Sequence, residues 1–195
     1  MPALDRALLD PQHPRRADIL AHLGWATFLK SRETGTGDPA TLYKQALAID
    51  PHNPYANVML GHWMMWRGQP LDAARPYFDA ALAAGKQRPL VRTFQLAALR
   101  NRNDEAADAE LIRVADSMRR ENEALDDRSA RDAYAVYQRR YGANAHAANP
   151  PEIDLAPADQ LATFQWLTRK PGVSERADTD QAISATLTRL IQKQG

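Results

Sequence analysis

One step recurs along this chain at a fixed distance: Tyr43 with Ala46, then Tyr77 with Ala80 34 residues later. A period of that size is too long for any single element. It marks a supersecondary unit that buries its apolar face by stacking on its neighbours. Within the period, apolar residues return at helical spacing. β-Branched runs are short, and no alternating segment is bounded by a hairpin pair such as Asn-Gly. An all-α chain built from successive helix pairs is therefore expected.

The stretch "PYANVMLGHWMMWRGQPLDAARPYFDAAL", Pro54 to Leu82, carries the clearest unit. Leu60 and Gly61 form a Leu-Gly pair, Gly68 stands where two helices would turn, and Ala73, Tyr77 and Ala80 make a small-aromatic-small series. This unit resembles a tetratricopeptide repeat (TPR) from end to end. The resemblance implies two antiparallel helices that approach closely at Gly61 and Ala73, with Pro51 turning the chain into the unit. Three features depart from the family pattern. Asn57 stands where the family usually has Trp, Gly85 replaces a terminal proline, and Pro76 falls inside the second helix, where a bend is expected.

The preceding unit carries Leu23-Gly24, Tyr43, Ala46 and Pro51, with its inter-helix turn swollen by "ETGTGD". A third, from Pro89, offers a helix to about Arg100, a polar turn "NRND" and a second helix capped by Asp104. "ALLDPQHP" near the start looks like a shortened copy of "ALAIDPHNP". It reads as the tail of a repeat whose first helix is missing, hence as an orphan capping helix over residues 1–14. The TPR-like helix-pair solenoid is expected over 15–122, and a helical C-terminal extension over 123–195. In that extension helices are expected around "DDRSARDAYAVYQRRYG", capped from Asp126 to Ser129 and stopped by Gly142, around "PADQLATFQWLTR" and around "DTDQAISATLTRLIQKQG".

Charge narrows the function classes. The 25 basic and 24 acidic side chains are mixed along the chain, without the polybasic footprint of a nucleic-acid binder. The lack of cysteine removes disulfides, thiolate metal sites and cysteine nucleophiles together. No window approaches a membrane-spanning length, so direct membrane insertion is not expected. Read from Met1 the chain lacks a secretory signal and is expected in the cytoplasm, or in the periplasm if a signal precedes it.

No catalytic constellation emerges. The five histidines show no HxxxH or HExxH spacing, the serines have no GxSxG or SxxK context, and "ETGTGD" lacks a phosphate loop's Lys-Ser/Thr ending. The carboxylates of "NDEAADAE" and "RRENEALDD" read as solvated charge paired along helices. Neither metal nor cofactor is expected.

"GHWMMWRG", Gly61 to Gly68, is the most distinctive stretch. Helical spacing puts Tyr55, Val58, His62, Met65 and Trp66 on one side of the first helix of the second unit, with Leu60, Gly61 and Met64 facing its partner and Trp63 between units. In a TPR the first side lines the concave groove. These residues serve either as packing alone or as a surface for a protein or peptide. Arg88 and Arg92, four apart, stand where some TPR domains grip a terminal carboxylate, although the companion Asn and Lys are not evident. The reading is a non-catalytic protein-interaction scaffold that holds a peptide or partner helix in its groove, with self-association through the N-terminal edge. The alternative is a docking part of a larger enzyme or of a membrane-anchored assembly factor that extends upstream.

Overall fold

The structure, a computed structural model, describes residues 10, 13–86, 90–100, 102, 104–142, 153–174 and 177–194. Every regular element among them is an α-helix: α1 Arg16–Thr34, α2 Pro39–Ile49, α3 Pro54–Trp66, α4 Leu71–Gly85, α5 Val91–Leu99, α6 Glu105–Arg120, α7 Asp127–Tyr141, α8 Pro157–Thr168 and α9 Ala177–Gln194. The chain divides into two compact units, Met1–Ala98 and Leu99–Gly195. The third expected helix pair is thereby shared out. Nearly all of α5 belongs to the first unit, and α6 belongs to the second, where it packs on α7 and α8. The orphan helix expected near Ala3 to Leu9 lies outside the described residues, and so does its proposed edge for self-association.

Local chemistry sets the helix ends of the first unit. Asp38 and Asn53 cap α2 and α3, accepting the backbone N–H of Ala40 at 3.0 Å and of Ala56 at 2.9 Å, and a proline follows each cap at the first helical position. Asn57, in the place of the expected Trp, is buried and gives its side-chain amide to the carbonyls of Pro51 and Asn53, so it braces the turn into α3. α3 ends on Gly68 at φ 83°, with Gln69 N–H on the Met64 carbonyl and Gly68 N–H on that of Met65. That pair of bonds needs a left-handed residue. Only Glu33 and Thr34 of the "ETGTGD" insertion are helical: α1 runs to Thr34, giving nineteen residues against thirteen in α3, and Gly35 to Asp38 form the turn into α2. α4 continues through the exposed Pro76, whose ring replaces an N–H of the ladder.

Helices α1 and α2 meet where a Cβ on Gly24 would lie 2.5 Å from Cε1 of Tyr43. Helices α3 and α4 meet in the same way, a Cβ on Gly61 falling 2.8 Å from Cε1 of Phe78. The aromatic facing Gly61 is thus Phe78, not Tyr77. Ala74, Phe78 and Ala81 are the buried series of α4, and the expected Ala73, Tyr77 and Ala80 are only half-buried. The sequence permits both registers, because "YFDAA" holds two overlapping aromatic-x-x-Ala steps. One residue turns a helix by about 100° and swaps the packed face.

The second unit is tied by buried polar contacts as well as by its apolar core. Asp104 and Asp126 cap α6 and α7. Burial acts to raise the Asp126 carboxyl, but hydrogen bonds from the Ser129 hydroxyl and the N–H groups of Ser129 and Arg128 outweigh it and hold the group below its ordinary value. Gly142 does stop α7, with an extended rather than left-handed backbone. A Cβ there would meet the Gln138 carbonyl at 2.5 Å. Tyr137 donates to the Gln160 backbone carbonyl at 2.9 Å and Tyr141 to the Gln160 side chain, which joins α7 to α8. Tyr134 donates to Asp180 at 2.7 Å, and Ser174 donates to the other oxygen of that carboxylate.

Candidate functional site

Within the first unit, α1 and α3 bring eight aromatic and basic side chains against one another as a cluster. His22, Trp25, Phe28 and Arg32 recur at helical spacing along α1 and meet Tyr55, His62, Trp63 and Trp66 of α3, with Phe94 of α5 closing one side. His22 lies edge-on to Tyr55, ring centres 4.9 Å apart. His62 sits between Trp25 at 5.2 Å and Phe28 at 5.1 Å, and Trp25 meets Phe94 at 4.5 Å. Phe28 presents its ring to Trp63 at 5.9 Å and to Trp66 at 5.5 Å. Edge-to-face pairs of this kind each contribute about 0.5–1.5 kcal/mol beyond area burial. The cluster therefore stiffens the α1–α3 contact.

Its outer end stays open to solvent. Trp66 is 50% exposed although held by Phe28 and by the Arg32 guanidinium, 5.5 Å from its ring centre. Arg32 also stands 5.8 Å from Phe28, Arg67 covers Trp63 at 5.7 Å, and Leu29, one turn before Arg32, is 41% exposed. An indole held in place from below and open above offers contact area at little cost in side-chain entropy.

The residues expected to share this surface divide sharply. Trp66 is open, Tyr55 half-buried and His62 buried inside the cluster. Val58 and Met65 are each only 1% exposed, so neither presents a side chain to a partner. The physical reason is that α3 packs on α1, α2 and α4 at once and buries nine of its thirteen residues, so it has no broad open face. Arg92 is buried too, and Arg88 lies outside the described residues. Trp63 does sit at the α1–α3 contact. His22, Trp25, Phe28 and Arg32 are the part that single-unit spacing does not reach. Their recurrence along α1 was the available signal.

In the second unit Glu105, Glu121, Asp126 and Asp127 of the two acidic stretches are exposed, while other carboxylates are engaged by the fold. Asp104 is a cap, Asp108 takes Arg139 at 2.7 Å, and Glu110 is buried against Arg113. Asp116, 3% exposed, accepts the Thr163 hydroxyl at 2.9 Å and Arg119 at 2.8 Å on one oxygen, and Arg120 at 2.6 Å on the other. Arg120 also reaches Asp159 at 3.0 Å. With partners on both oxygens, this carboxylate clamps α6 to α8.

Among the described residues no three His, Asp or Glu side chains converge as a metal site, and no helix is long and apolar enough to cross a membrane. Comparison of the chain with protein families, with curated proteins and with solved structures returns no match.

Proposed function

We propose that the first unit is a TPR-like, non-catalytic scaffold that binds a peptide or a partner helix across the outer end of α1 and α3. The observation that carries this reading is Trp66, a large aromatic half-exposed yet fixed by Phe28 and Arg32. Interface cores are enriched in Trp and Arg, and their energy concentrates in a few such residues. The TPR-like part of the reading is supported by two successive helix pairs closing on a glycine-aromatic contact. The buried carboxylates of the second unit, already engaged by arginines and a threonine, give catalysis no comparable support.

Photo-crosslinking tests the reading directly. With p-benzoylphenylalanine at position 29 or 66, cells of the source organism should yield discrete adducts that the same group at the exposed Ala83 of α4 does not give. Equal adducts at all three positions, or none at 29 and 66, would remove the proposal.

A further inference from the structure

We infer that the segment held at Trp66 is acidic: an apolar side chain seated on Trp66 and Leu29, with carboxylates beside it that pair with Arg32 and Arg67. The inference rests on the interaction face just proposed and adds the chemistry of its occupant. Eight arginines among the described residues, Arg15, Arg75, Arg100, Arg102, Arg113, Arg119, Arg120 and Arg139, hold a carboxylate of this chain. Arg32 and Arg67 hold none among the described residues and lie instead on aromatic rings of the cluster.

A guanidinium resting on a ring keeps its N–H edges available, and those edges match a carboxylate in a two-bonded fork. Ring contact also limits the orientations the guanidinium samples, so less freedom is lost when the carboxylate arrives. The adjacent acid does not fill the role. Glu33 is exposed, stands about 100° round α1 from Arg32 and forms no ion pair with either arginine. The first unit thus exposes Trp66, with Arg32 on its ring, and Leu29, one turn before Arg32, and no carboxylate among the described residues takes up the hydrogen-bonding edges of Arg32 or Arg67.

A nucleic acid could also stack on Trp66 and pair with arginine. It would need a longer basic track than two guanidiniums on a chain of 25 basic and 24 acidic residues. The observations favour a peptide.

The test is a display selection of short random peptides against the full chain, followed by fluorescence anisotropy of the enriched peptides. Acidic residues should be enriched on both sides of an aromatic or aliphatic one. Trp66→Ala should weaken these peptides by about tenfold or more, Arg32→Gln with Arg67→Gln by about tenfold, and binding should fall as salt rises. Leu29→Asp provides a second route should Trp66→Ala disturb the fold. It alters an exposed position and should repel an acidic peptide while preserving the circular dichroism spectrum. Peptides that need Trp66 but are neutral or basic would overturn the acidic occupant and leave the interaction face standing. Peptides indifferent to both Trp66 and Leu29 would overturn the two together. Displacement of a Trp66-dependent peptide by an oligothymidylate, itself bound through Trp66, would replace the acidic peptide with nucleic acid.

Discussion

The Cβ that Gly61 lacks would stand 2.8 Å from Cε1 of Phe78, a ring that is itself fully buried. Gly61→Ala gains about 1 kcal/mol of helix propensity but forces an overlap that costs about 1–3 kcal/mol. Net destabilisation is expected, larger at Gly24, where the corresponding approach to Tyr43 is 2.5 Å. Urea unfolding of Gly61→Ala, Phe78→Leu and the double variant should show non-additivity beyond about 0.5 kcal/mol.

Truncation separates the two neighbouring aromatics of α4. Phe78→Ala should cost about 3–5 kcal/mol through the cavity it leaves, whereas Tyr77→Ala, at a half-buried position, should cost about 1 kcal/mol. Equal losses in chemical denaturation would return the packed register to Tyr77.

Asp116 predicts an asymmetric cost in the second unit. Asp116→Ala removes the buried acceptor of Thr163, Arg119 and Arg120, while both arginines keep Asp159, and should cost about 1.5–3 kcal/mol. Thr163→Val removes a single hydroxyl bond and should cost about 1 kcal/mol. Denaturation followed by the fluorescence of Trp166, on α8, in a variant lacking the other three tryptophans reads both.

Four of the six tyrosines are expected to titrate late. Burial raises Tyr43, Tyr137 and Tyr141, and burial with the Asp180 hydrogen bond and charge pushes Tyr134 up to about 12. A folded value above the ordinary 10 means that the native state keeps its proton after the unfolded chain has lost it. The resulting stability is complete below pH 10 and declines as pH rises toward 12. Absorbance at 295 nm should show part of the phenolate signal appearing only in this alkaline range, together with loss of helix. Tyr134→Phe should remove its share of the late signal. Titration of all six tyrosines near pH 10, with the helix intact, would contradict the packing described here.

What the sequence revealed follows the range of the interactions involved. Caps at Asp104 and Asp126, the stop at Gly142 and the three C-terminal helices depend on neighbours within a turn or two, and a linear reading finds them. The register of α4 does not, since Tyr77 and Phe78 satisfy the same spacing and the contact with Gly61 is what selects between them. The candidate site shows the same limit. Trp66 follows from period alone, but the burial of Val58 and Met65 is decided by α1, α2 and α4 converging on α3, which is a tertiary fact. Likewise the pairing of Glu110 with Arg113 is local to its helix, but the burial of Glu110 is not, and the contact of Asp116 with Thr163 of α8 is a tertiary one.

The most direct test of the account sets binding against stability at Trp66. Trp66→Ala, with Tyr55→Ala beside it, should leave the melting temperature within a few degrees of the parent while weakening the partner captured at positions 29 and 66 by roughly thirtyfold at Trp66. Leu60→Ala, in the buried core, should do the reverse, lowering the melting temperature strongly and leaving the affinity of the folded fraction unchanged. If Trp66→Ala melts as early as Leu60→Ala and its folded fraction still binds with the parent affinity, Trp66 belongs to the core and the interaction face is wrong.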